Sequence, residues 1–124
     1  MDRFAMVFLG GGAGALLRFV ASTAIMQRYG GRFPLGTFLI NVTGSFAIGI
    51  LMTILAGSLR PHPNWRLLLV VGFLGGYTTF STFEFETYLA IRQSDQWIGL
   101  LNVLGSVLAG YVAVWLGSII AARN

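Results

Sequence analysis

Long apolar runs separated by short polar breaks dominate the chain. The runs cover residues 4–27, 34–57, 65–91 and 96–122 and leave only brief connections between them. Each exceeds the about 20 residues that carry an α-helix across a hydrocarbon layer of about 30 Å. The pattern therefore predicts an all-α membrane protein with four transmembrane helices in one domain spanning residues 1–124. The breaks agree with this reading. Gly30, Gly31 and Pro34 mark a turn, with Pro34 suited to the first position of the second helix. Residues 58–64 hold two prolines, and Asn64 is placed to cap the third helix. Ser94 and Asp95 can cap the fourth, while Trp65 and Trp97 stand where interfacial anchors belong. Arg18 interrupts the first run and no small-residue cleavage site follows, so a cleaved signal peptide is not expected.

Composition sharpens the membrane assignment. Hydrophobic residues make up 56% of the chain and charged residues 10%, against about 25% charged in soluble domains. There is no cysteine, which excludes disulfides, thiolate metal sites and cysteine nucleophiles. The single histidine, His62, lies between Pro61 and Pro63, and no nucleophile–base pair is visible, so an enzyme is not expected. The net charge of +4 comes from arginines scattered singly among apolar runs rather than gathered on a face, which argues against nucleic acid. With four helices, Arg3, Arg60, Arg66 and Arg123 fall on one side of the membrane and Arg28, Arg32 and Arg92 on the other. Four against three is almost no bias, so insertion either way up is permitted; the alternative is one orientation set by Arg3.

The glycines of the first run, Gly10 to Gly12 and Gly14, imitate a dinucleotide-binding turn. That fingerprint needs an acid about 20 positions later, yet after Asp2 the next acid is Glu84. The spacing of Gly10 with Gly14, Gly72 with Gly76, Ser106 with Gly110 and Ala113 with Gly117 instead suits close helix packing. Arg18 continues a stripe of Gly11, Gly14 and Ser22 and so faces protein rather than lipid. It is either a structural arginine that binds loose carbonyls or a positive charge beside an anion path. Thr37, Asn41, Gly44 and Ser45 share one face of the second helix, and Asn102, Ser106 and Gly110 repeat the theme in the fourth. These stripes are either interhelical hydrogen-bonding groups or the lining of a polar path.

The densest signal is Gly75-Gly76-Tyr77-Thr78-Thr79-Phe80-Ser81-Thr82-Phe83 within the third run. Paired glycines followed by hydroxyl residues make a poor helix interior, so a break is expected here. At membrane depth a break is tolerated only against protein or a watery cavity, and its loose backbone groups can hold ions. Ser81, Thr82 and the rings of Phe80 and Phe83 are candidates to line that path, because ring edges carry partial positive charge. Glu84 and Glu86 are expected toward the end of the segment, near a vestibule.

The run 75–83 closing on Glu86, with Gly36-Thr37 and Asn41 upstream, closely resembles the Fluc/CrcB fluoride channel family over the whole chain. The resemblance implies a dual-topology, antiparallel homodimer in the bacterial cytoplasmic (inner) membrane that exports fluoride passively through two pores. It places Phe80, Phe83, Asn41, Thr37 and Ser106 on the fluoride path. Arg18 and Glu86 would act electrostatically in the vestibule. A structural sodium ion at the dimer centre would be held by backbone carbonyls of Gly75 and Thr78. A small multidrug-type, proton-coupled exporter is the competing class, but it needs a buried acid in the first helix, where this chain has Arg18. A non-transporting scaffold subunit leaves the Phe80/Phe83 motif unexplained.

Overall fold

The computed structural model describes residues 2–57, 62–93 and 95–123. Helix α1 spans Arg3–Tyr29 and α2 spans Leu35–Ala56. The third span, Arg66–Arg92, is composite. It opens with a π-helical run, Arg66–Leu74, continues as a single turn, α3 (Gly75–Tyr77), and resumes after Thr78 and Thr79 as α4 (Phe80–Arg92). Helix α5 spans Gln96–Ala122. Four helices are thus long and apolar enough to cross a membrane, and the described residues contain no strand. The break expected between the paired glycines and the phenylalanines is present. The wide-turned run before it has no counterpart in the sequence reading.

Helix ends follow local chemistry, with two departures. Asp2 accepts from the Phe4 N–H at the start of α1, and Asp95 accepts from the Ile98 N–H at the start of α5. Ser94, the other expected cap, lies outside the described residues, as do residues 58–61. Pro34 sits one position before the first helical residue rather than at it. Asn64 does not cap the third span: its side chain makes no cap hydrogen bond, and its backbone N–H donates to His62 Nδ1 at 3.2 Å. Trp65 and Trp97 are exposed near span ends, as interfacial anchors require.

Packing is backbone against backbone. Gly10 and Gly14 of α1 lie against the main chain of Leu68, Phe73 and Tyr77, while Gly72 approaches the Gly10 Cα and Gly76 the Gly11 carbonyl. Gly49 of α2 meets the main chain of Val114 and Ser118, and Gly117 of α5 meets that of Phe46 and Ile50. Three of the four expected small-residue pairs are therefore seams between helices. The fourth also faces a neighbouring helix but less closely, since a Cβ on Gly110 would meet the Ser45 hydroxyl of α2 at 3.5 Å rather than main chain. Such seams suit a chain whose solvent is hydrocarbon: burying leucine between helices gains little there, and close approach gains dispersion. Few large apolar side chains are enclosed, chiefly Ile40, Leu74 and Phe83, whereas Phe4, Phe8, Trp97 and Tyr111 project outward.

The break redirects the third span. Its first part packs on α1, while α4 packs on α5, which itself pairs with α2. At one end of the bundle an ion pair joins Arg32 to Asp95 at 3.6 Å, tying the α1–α2 connection to the start of α5.

The glycine seams make a direct prediction. Gly14→Val would drive a side chain into the Phe73 carbonyl, which cannot yield as a flexible side chain can. The expected result is a loss of about 3 kcal/mol or more and a lower melting temperature in detergent. Gly105→Ala meets only the Phe38 ring, at 3.8 Å, and is expected to melt no lower than the unmodified chain.

Candidate functional site

The break is built by one side chain. Thr78 and Thr79 are extended, with φ, ψ of −83°, 157° and −151°, 118°. A residue in this conformation leaves the helical ladder, so its N–H and C=O need other partners. Asn41 of α2 supplies both: its Oδ1 accepts from the Thr79 N–H at 2.8 Å, and its Nδ2 donates to the Thr79 carbonyl at 3.0 Å. The Thr79 hydroxyl then caps α4 by accepting from the Thr82 N–H. Gly44, one turn beyond Asn41, provides the space in which the Thr78 methyl sits.

The break releases several carbonyls, those of Gly75 and Thr78 among them. An uninterrupted helix would give the Thr79 N–H to Gly75 and the Thr82 N–H to Thr78. Since both donors are engaged elsewhere, the Gly75 and Thr78 carbonyl oxygens have lost their helical partners. Oxygens of this kind suit a hard cation, whose ligands are carbonyl and carboxylate oxygen rather than nitrogen or sulfur.

Two cavities meet at Thr79, which lines both. The outer one, about 610 Å³, is bounded by Arg18, Thr37, Thr82 and Glu86, with Ser22 and Gln27 also in its lining. The inner one, about 410 Å³, is bounded by Asn41, Ser45, Phe80, Phe83 and Ser106, with Gly75 and Thr78 at its wall. The Phe80 and Phe83 ring centroids are 5.7 Å apart and tilted by 47°. Phe83 is enclosed and Phe80 largely exposed on the chain.

The expected site residues thus separate into two groups. Phe80, Phe83, Asn41 and Ser106 share the inner cavity, while Thr37, Thr82, Arg18 and Glu86 share the outer one. Ser81 lines neither and is exposed on α4. Thr37 donates its one hydroxyl proton to Glu86 Oε1 at 2.9 Å, so in this arrangement it offers an anion lone pairs rather than a proton. The other carboxylate oxygen, Oε2, is buried without a hydrogen-bond partner. Arg18 faces the cavity, as its stripe with Gly14 and Ser22 implies. Asn102 is fully enclosed behind the cavity wall rather than on a polar path. Glu84 is exposed and belongs to neither cavity.

Sequence reasoning missed the part played by Thr79. The available signal was Asn41 itself, since an amide at that depth needs a donor and an acceptor together, and a broken backbone offers both.

The sequence profile described as "CrcB-like protein, Camphor Resistance (CrcB)" matches residues 5–118. The chain belongs to the CrcB family. Among curated CrcB relatives, the "Fluoride-specific ion channel FluC" of Solibacter usitatus (strain Ellin6076) is 60% identical over 121 residues, covering 98% of this chain and 99% of that one. The protein of the same name from Acidobacterium capsulatum is 45% identical, covering 98% of this chain and 97% of its own. That of Coxiella burnetii (strain CbuK_Q154) is 42% identical over 95% of this chain and 96% of its own. The CrcB match takes in the break, the residues of both cavities and the greater part of all four spans.

The clamp on Thr79 can be tested apart from any transport. Asn41→Leu would strand the half-buried Thr79 N–H and carbonyl together, at about 1 kcal/mol for each group. Asn41→Asp keeps an acceptor for the N–H but turns a second carboxyl oxygen, in place of the donor, toward the Thr79 carbonyl. Thermal unfolding in detergent is expected to place both variants below the unmodified protein; a Leu variant that melts with the unmodified protein would show the clamp to be dispensable.

Proposed function

We propose that this CrcB-family chain is a fluoride channel, a passive exporter and not an enzyme, that works as an antiparallel, dual-topology homodimer with two pores in the bacterial inner membrane. The observation that carries the reading is the 60% identity, over 98% of the chain, to a relative named for fluoride-specific conduction. The cavities supply the chemistry. Fluoride is small and strongly hydrated, so a path must replace water with donors while never holding the ion too tightly. The Arg18 guanidinium and the Thr82 hydroxyl face the outer cavity. In the inner cavity the second amide proton of Asn41, the Ser106 hydroxyl and the edges of Phe80 and Phe83 provide partial positive charge without a full cation. Glu86 takes the Thr37 proton within the outer cavity and opposes accumulation of anions beside Arg18.

A structural sodium ion belongs to the same proposal. The Gly75 and Thr78 carbonyls would hold it, and it would supply fixed positive potential beside the inner cavity and join two broken spans across a dimer. The competing proton-coupled exporter finds no support, because α1 from Arg3–Tyr29 carries no carboxylate.

Proteoliposomes loaded with fluoride or chloride test the reading. Fluoride is expected to leave far faster, without ATP or a pH gradient, and equal rates for the two anions would rule the channel out. Phe80→Ile and Phe83→Ile keep apolar bulk but lack a quadrupole, so each is expected to lower fluoride flux by about tenfold or more while expression stays near normal. Wild-type flux from the well-folded double variant would make both rings ordinary packing.

Orientation is tested separately. Two lysines added to the segment 58–64 are expected to drive all chains into one orientation by the positive-inside rule. Flux should then collapse and return when an oppositely biased variant is co-expressed. Full activity from a single-orientation population would refute the antiparallel arrangement.

A further inference from the structure

Behind the inner cavity runs a buried chain of side chains that the conduction path does not use. Asn102 of α5 is the most enclosed polar residue described, at 1% exposure, and Thr87 of α4 is buried beside it. The Thr87 hydroxyl donates to the Phe83 carbonyl at 2.9 Å. Having one proton, it can only accept from Asn102, whose Nδ2 donates to it at 2.9 Å. That contact fixes which way the amide faces, so Asn102 Oδ1 points the other way along the helix. There it accepts from the Ser106 hydroxyl at 3.3 Å. Gly99, one turn before Asn102, lets α5 approach the side chain of Ile91 and the Thr87 carbonyl, which holds the two helices at this separation.

The direction of these bonds matters for Ser106, which lines the inner cavity with Phe83 and Asn41. While its proton is given to Asn102, Ser106 turns lone pairs toward the cavity and offers an anion nothing. Rotation about the Cβ–Oγ bond moves the proton into the cavity and leaves Asn102 Oδ1 unpaired in an apolar surrounding. The hydroxyl therefore has two positions, and the enclosed amide pulls it back from the ion.

We propose that Asn102 is a positioning residue for anion passage: Thr87 fixes its amide, and its carbonyl is the acceptor to which the Ser106 hydroxyl returns between ions. This rests on the channel reading above and adds a residue that touches no ion. An acceptor of this kind weakens the hold on the anion and speeds its departure. Removing it leaves Ser106 a standing donor, so binding tightens while turnover slows.

The test is fluoride flux against fluoride concentration in proteoliposomes holding the full-length protein. Asn102→Leu, of similar volume, is expected to lower the maximal flux about tenfold and the half-saturating fluoride concentration about threefold. A merely structural defect would lower the maximum with no tightening. In a Ser106→Ala background, itself slower than the unmodified protein, Asn102→Leu is expected to add less than about a twofold loss. An unchanged half-saturating concentration, or the same loss in both backgrounds, overturns the proposal. Should Asn102→Leu not yield folded protein, Thr87→Val is expected to shift flux in the same direction and Thr87→Ser to restore it; indistinguishable Val and Ser variants overturn the proposal. The unmodified protein runs in parallel. If it carries no fluoride, the channel reading falls and this inference with it, whereas normal unmodified flux with unshifted variants removes this inference alone.

Discussion

A transmembrane helix can be interrupted only if something replaces the hydrogen bonds that the interruption removes, because lipid offers none. In this chain the replacement is the amide of Asn41, which pairs with both the N–H and the carbonyl of Thr79. An amide is neutral and holds a donor and an acceptor side by side at fixed separation, so it can stand in for a neighbouring strand of backbone. Everything distinctive about the site lies downstream of this pairing. The third span changes neighbours from α1 to α5, the carbonyls of Gly75 and Thr78 lose their helical donors, and Thr79 becomes the shared wall of two cavities.

The break would be of little use if the helices around it could move apart. They are held by glycine rather than by large side chains. Gly10, Gly14 and Gly72 bring α1 onto the first part of the third span, and Gly49 and Gly117 bring α2 onto α5. Those two seams are rigid because each places main chain against main chain. Gly99 in turn brings α5 against Ile91 and Thr87 of α4, so the two halves of the broken span are each held to a different partner and the extended residues between them bridge a set distance. Asn41 joins the system from α2, the helix that lies against both halves.

How much of this was legible in the sequence depended on the range of the interaction. The spans were legible because length and hydropathy are local and the membrane thickness is known. The break was legible because two glycines and four hydroxyl residues weaken a helix wherever they occur. Arg18 was placed correctly by its stripe, since helical periodicity decides which side a residue faces. Partner choice was not legible. Asn41 and Asn102 look alike in the sequence, as amides within apolar helices, yet one clamps backbone at the cavity wall and the other is sealed behind it with Thr87. Ser81 stands between Phe80 and Thr82 in the motif, but the turn of α4 carries it away from both cavities. The cap expected of Asn64 failed for a related reason: the helical turn begins at Asn64 itself, inside which an Asn side chain cannot act as the cap.

A single chain encloses only half of the aromatic pair. Phe83 is 7% exposed and Phe80 is 73% exposed, although their rings lie in one cavity. The inner cavity therefore opens at the surface of the chain, where the surroundings of the other spans would be hydrocarbon. Elsewhere on the chain Thr43, exposed on α2, shares a hydrogen bond of 2.9 Å with the half-buried Tyr77. Anions do not pass along a wall that faces lipid on one side, because the desolvation cost there has no donor to offset it. The antiparallel copy proposed above would cover this side and bring its own donors and its own broken span to it. In the proposed twofold dimer each half-built cavity would be covered by a wall of the partner rather than by the partner's own cavity, so the two cavities would stay separate and give two pores.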